Sequence, residues 1–188
     1  EMEIALGLDE LKLETTNLAP RDQILHVDLA GRDPDDGFTS VPYQKGAAFL
    51  RLLERTFGRE VFDRFLKGYF SAYAFKSITT EVFLEHLDRH LLRLDPEKAR
   101  EISVDEWIRR PGLPANCPGV ESAAFARVDA LARSFAAGTT VAAALEASKW
   151  SAHEWLRFLG RLSPKSDVTK LAALDTAWGL TKAANSEI

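Results

Sequence analysis

The chain has 188 residues and a mass of 20.9 kDa, with 46% apolar and 28% charged side chains; this gives one substantial core or two small ones and excludes a disordered polymer. A formal charge of −4 and a pI near 5.6 leave no basic excess to attract nucleic acid or an anionic membrane, so small molecules, peptides or proteins are the expected partners. The single Cys117 cannot close an internal disulfide and no apolar run approaches the roughly 20 residues of a bilayer span; with the acidic opening Glu1-Met2-Glu3-Ile4 this points to a cytoplasmic chain without a signal peptide.

The first 35 residues show little regular patterning. Ile24-Leu25-His26-Val27-Asp28-Leu29 reads as a short strand or extended segment, and Asp33-Pro34-Asp35-Asp36-Gly37 as a loop. From Tyr43 to Arg55 the apolar Ala47, Phe49, Leu50, Leu52 and Leu53 gather on one broad helical face, with Lys45, Arg51, Glu54 and Arg55 assigned to the polar side. Pro42 suits a first turn, where its missing N–H has no intrahelical partner, and Gly58 ends the helix. A second helix is predicted over Arg59 to Ala72, and a third from Thr79 or Thr80 with Phe83, Leu84, Leu87 and Leu91 as its buried stripe.

Val104 to Arg110 reads as a short helix containing Trp107. After it, Pro111-Gly112-Leu113-Pro114-Ala115-Asn116-Cys117-Pro118-Gly119 forms the clearest boundary in the chain. Helices are expected at Glu121 to Ala137, Thr140 to Ser148, Ser151 to Leu162 and Ser166 to Thr181. Ser151-Ala152-His153-Glu154 has the pattern of a capping box. Helix pairs joined by short turns suggest the start of a helical-hairpin superhelix. The expected division is 1–110, a linker at 111–120, and 121–188, with an all-α fold throughout. The start without methionine and the abrupt Asn185-Ser186-Glu187-Ile188 end are those expected of an excised piece.

Few residues carry chemistry. Of His26, His86, His90 and His153, only His86 and His90 have the i, i+4 spacing of zinc ligands, and Leu87 stands where the glutamate of H-E-x-x-H belongs. They read as a surface or polar-contact pair, with a small metal site as the alternative. No serine lies in a G-x-S-x-G context, Cys117 has no nearby histidine, and no glycine-rich nucleotide loop is present. Thr39-Ser40-Val41-Pro42-Tyr43-Gln44-Lys45-Gly46 is more informative. A tyrosine on the opening turn of a helix has a stiff backbone beneath it, and a neutral phenol is a good donor to a developing oxyanion. Spacing alone leaves Tyr43 as either that donor or a packing residue.

Val41-Pro42-Tyr43-Gln44-Lys45-Gly46 resembles the V-P-Y-E-K-G segment of zinc aminopeptidases of the leukotriene A4 hydrolase type. Phe75-Lys76-Ser77-Ile78-Thr79-Thr80, Trp107 with Pro111-Gly112-Leu113-Pro114, and Asn185-Ser186-Glu187-Ile188 follow in the same order, so the resemblance spans Val27 to Ile188. It implies the second half of a thermolysin-like catalytic domain followed by the start of a helical superhelix domain. It implies peptide substrates and zinc in the parent enzyme, with the H-E-x-x-H and G-x-M-E-N segments lying upstream and no metal bound by these residues. Carried over by position, Tyr43 becomes the oxyanion donor, and Asp35 and Phe38 become pocket-lining residues. Phe38 stands where the hydrolase has tyrosine and cannot hydrogen-bond, which favours peptide cleavage over epoxide hydrolysis. On this reading the chain is inactive alone and exposes apolar surface that belongs against the missing amino-terminal part, so that it self-associates or is partly disordered before about residue 40. The rival reading is a helical binding or scaffold module without chemistry.

Overall fold

The computed structural model describes residues 1–162 and 166–188, and among these the chain forms helices and tight turns with no strand. It divides into two compact units, one of Gly7–Gly119 and one of Glu1–Leu6 with Val120–Ile188. No helix among the described residues is long and apolar enough to cross a membrane.

The larger unit is built around α2 (Gly46–Phe57), α3 (Arg59–Tyr73) and α4 (Thr80–His90). Each follows from its sequence. α2 buries Ala48, Phe49, Leu53 and Phe57 at helical spacing, and Gly58 closes it with φ of 84°, a left-handed value that costs a residue with a side chain. Thr79 caps α4 by accepting from the Val82 N–H at 3.4 Å. Two helices depart from the expectation. α1 (Met2–Thr15) occupies the stretch read as irregular, and only Gly7, Leu8 and Leu11 are buried in it. Its apolar residues are spread around the cylinder, which is why no stripe stood out. α5 (Pro96–Ile102) was also missed, although Asp95 caps it and Pro96 opens it. Ile24 to Leu29 is not a strand: Ile24 to His26 form bends and Val27 to Leu29 are irregular, with the His26 N–H donating to the Ile108 carbonyl at 2.9 Å.

α6 (Val104–Arg109) buries Trp107 completely, with its ring 5.6 Å from Phe49. The indole N–H donates to Asn116 Oδ1 at 3.0 Å, and the Asn116 amide donates to the carbonyls of Glu101 and Ile102. One asparagine therefore ties the proline-rich segment to α5 and α6.

In the other unit, α7 (Ala123–Ala137), α8 (Ala152–Gly160) and α9 (Val168–Trp178) enclose a core that includes Val128, Phe135, Leu145, Trp155, Phe158 and Leu174. The Ser151–Glu154 capping box forms as predicted. Arg157 clamps Asp129 with two bonds of 2.7 Å and holds that carboxyl below its ordinary range. The helix expected over Thr140 to Ser148 is instead two 3-10 turns, Ala142–Leu145 and Ala147–Lys149, separated by Glu146 at φ 53°. The break lets Ala142, Leu145 and Ala147 all face the core.

Candidate active site

Tyr43 lies on a single π-helical turn, Val41–Lys45, that leads directly into α2. Its ring is 65% exposed and its phenol carries no hydrogen bond among the described residues. The backbone below it is the opposite. Val41 is buried, and the Gln44 N–H donates to the Ser40 carbonyl at 2.8 Å. At the start of the turn, Glu14 of α1 accepts from both the Ser40 N–H, at 2.9 Å, and the Ser40 hydroxyl. The side chain of Gln44 packs on Gly7 so closely that a Cβ there would collide with the amide.

At the end of the turn stands a residue that the sequence reading placed on the wrong face. Lys45 was assigned to the polar side of its helix, yet it is 1% exposed. Its ammonium donates to the carbonyls of Gln23, at 3.0 Å, and Arg110, at 2.7 Å. Burial lowers its pKa from the ordinary 10.5 to about 8. The signal was available, because Lys45, Phe49 and Leu53 follow one another at i, i+4 and i+8 on the buried stripe.

Asp35 and Phe38 sit on the preceding loop. Pro34–Gly37 forms a 3-10 turn in which the Asp33 carboxylate accepts from the Asp35 N–H at 3.0 Å, and the Phe38 N–H donates to the Asp35 carbonyl at 3.0 Å. The carboxylate of Asp35 and the ring of Phe38 face solvent, Phe38 being 77% exposed. Arg32, which the sequence reading did not single out, staples this loop by donating to Asp22 at 2.6 Å, to Asp36 and to the Asp28 carbonyl. Among the described residues no hydrogen bond or ring contact joins Tyr43 to Asp35 or Phe38. The clefts of about 900 Å³, beside Ser103 and Pro114, and of about 510 Å³, beside Tyr73 and His90, are lined by neither Tyr43, Asp35 nor Phe38.

His86 and His90 do lie together, with ring centroids 4.2 Å apart. His86 is 7% exposed among Phe65, Tyr69 and Tyr73, and its Nε2 has no hydrogen-bond partner among the described residues. Burial lowers its pKa, and His90 and Arg89 lower it further. No group of three or more His, Cys, Asp or Glu among the described residues could hold a metal ion. Arg64, Arg89 and Glu85 line the same cleft as the two histidines, and Arg89 is paired with Glu85. These residues do not fit a zinc site.

Residues 10–107, more than half of the chain, match the Peptidase family M1 domain. The chain belongs to peptidase family M1. Glu14, Asp35, Phe38, Tyr43 and Lys45 all fall inside the matched span of this M1 chain. It is 36% identical over 137 residues to leucine aminopeptidase 2 of Sclerotinia sclerotiorum, covering 72% of the chain and 22% of the relative. It is 32% identical over 170 residues to a leukotriene A-4 hydrolase homolog of Botryotinia fuckeliana, covering 87% and 26%. The M1 chain thus spans about a quarter of the length of these relatives. Its fold is that of yeast LTA4 hydrolase, solved in complex with bestatin, with a TM-score of 0.84 at 24% identity over 99% of this chain and 34% of that one.

Proposed function

We propose that this M1 chain is part of an aminopeptidase that removes amino-terminal residues from peptides, and that Tyr43 donates its phenolic hydrogen bond to the oxyanion formed at the attacked carbonyl. The observation that supports this reading is the Tyr43 turn itself: an exposed phenol, unpaired among the described residues, on a backbone held by polar contacts at both ends, half-buried at Glu14 and buried at Lys45. Donors held in place before reaction stabilise developing charge without reorganisation. Asp35 and Phe38, on the stapled loop just before the turn, position substrate. Phe38 offers a ring and no hydrogen bond, in keeping with peptide rather than epoxide chemistry. Zinc belongs to the remainder of the parent enzyme, and the chain alone is inactive. Residues 1–110 complete the catalytic domain, 111–120 link it onward, and 121–188 begin a helical superhelix in a cytoplasmic enzyme.

The test is turnover of amino-acyl anilides by the full-length enzyme. Tyr43→Phe lowers kcat by about 10²- to 10³-fold; unchanged turnover contradicts the assigned role. The isolated 188 residues show no turnover, and activity equal to that of the full enzyme contradicts the division of labour. Exposed Phe38, Phe70 and Phe75 make the isolated chain self-associate, which light scattering reads as a mass above 20.9 kDa.

A further inference from the structure

The buried contacts around Val41–Lys45 fall into a pattern beyond packing. A π-turn is wider than an α-turn, and isolated turns of this kind recur at functional sites. Nothing in the apolar pattern of α2 requires one, since an α-helix starting at Val41 would satisfy the same stripe. What accompanies the turn is two ionisable side chains, one brought by α1 and one standing on the buried stripe itself where an apolar residue is the ordinary choice. Glu14 comes from α1 and takes both donors of Ser40, just before the turn. Lys45 closes the turn and reaches two carbonyls from segments distant in sequence, Gln23 and Arg110.

Neither choice is the economical one for stability. An ammonium 1% exposed carries a desolvation cost, and an apolar side chain at that position would pack on Phe49 and Leu53 without it. The contacts Lys45 makes have a direction, however. Its three donors on one nitrogen can join carbonyls from separate loops, which no apolar side chain can do. The two anchors stand on either side of Tyr43, whose own side chain makes no hydrogen bond or ring contact among the described residues. The aim of the phenol is therefore set through the backbone.

We infer that Lys45 and Glu14 are positioning residues that brace the π-turn from both ends and so hold the Tyr43 phenol where the oxyanion forms. The inference rests on the reading of Tyr43 as the oxyanion donor. Neither residue touches substrate; both act through the backbone of Tyr43. A misplacement of about 1 Å in a catalytic group costs on the order of 10²-fold in rate, so loosening either anchor is felt at the chemical step.

The experiment is a double-mutant cycle in the full-length enzyme on an amino-acyl anilide, with kcat and KM measured separately. Lys45→Met lowers kcat by about 10- to 100-fold with KM held within about 3-fold. Adding it to Tyr43→Phe gives no further loss, because a turn without its phenol has nothing left to aim. Glu14→Ala lies at a half-exposed position, keeps the fold, and repeats the pattern with a smaller drop; it decides the matter if Lys45→Met does not fold. Losses that multiply with that of Tyr43→Phe, or a change confined to KM, overturn the bracing role. A Tyr43→Phe enzyme with full kcat overturns the reading of Tyr43 instead. Slowed Tyr43→Phe beside unaffected Lys45→Met and Glu14→Ala overturns the bracing alone.

Discussion

Lys45 and His86 in the larger unit each bury a basic nitrogen, and they do so in opposite ways. On the Val41–Lys45 turn, the ammonium of Lys45 meets two carbonyls. On α4, Nε2 of His86 meets none and sits among aromatic rings. Spacing favoured the second as a site, since His86 and His90 have the interval of metal ligands. Partnership favours the first. A buried polar group with partners fixes the backbone around it, whereas one left unpaired is a packing compromise. The difference separates a built turn from a ring that happens to contain nitrogen.

Substitutions in the chain, read by urea unfolding, separate the two arrangements. The largest effect is expected from Trp107→Ala, which empties the core beside Phe49 and frees Asn116, loosening α6 just before the Arg110 carbonyl that Lys45 holds. It should cost about 3–5 kcal/mol. A loss below about 1 kcal/mol would show that the turn's support does not pass through this core.

Lys45→Met is expected to reveal itself through pH. The folded pKa of Lys45, about 8, lies below its unfolded value of 10.5. Between these values the unfolded chain holds more protons, so the wild type gains stability as pH rises from about 8 to 10.5, and the variant lacks that gain. The wild type should gain on the variant by on the order of 3 kcal/mol across the window. Parallel pH profiles would mean that Lys45 is not desolvated.

His86→Phe keeps a ring among Phe65, Tyr69 and Tyr73 and removes the unpaired nitrogen. Stability at pH 7.5 should be equal or higher by about 1 kcal/mol. The folded pKa of His86 is lowered below 6.5, so the wild type loses stability as pH falls below 6.5, while the variant is spared that loss. His90 and Arg89 add to the repulsion; Arg64 and Glu85 line the same cleft, and Glu85 is already paired with Arg89. A variant that is destabilised at both pH values would mean that the nitrogen has a role. The smallest effect, about 1 kcal/mol, is expected from Ser151→Ala in the other unit, where only a helix cap is removed.

Much of this was legible in the sequence. α2, α3 and α4 announce themselves by apolar residues at three- and four-residue spacing, and Ser151 and Thr79 by their capping chemistry. The position of Tyr43 at a helix start was legible from Pro42 and the apolar spacing that follows it. What escaped was set by tertiary contact. α1 has no single apolar stripe, the Ala142–Lys149 stretch breaks its helix to face three residues inward, and the anchors Glu14, Arg32 and Lys45 act on partners far along the chain. A lysine reads as surface until its carbonyls are known.

The central claim concerns a hydrogen bond made in the transition state and absent from the ground state, and inhibitor binding isolates it. A phosphinic peptide whose tetrahedral oxygen mimics the oxyanion should bind full-length Tyr43→Phe enzyme weaker than wild type by the same factor by which kcat/KM falls, about 10²- to 10³-fold, while a product amino acid binds both alike. Equal weakening of both inhibitors, or of neither, would contradict the role assigned to Tyr43.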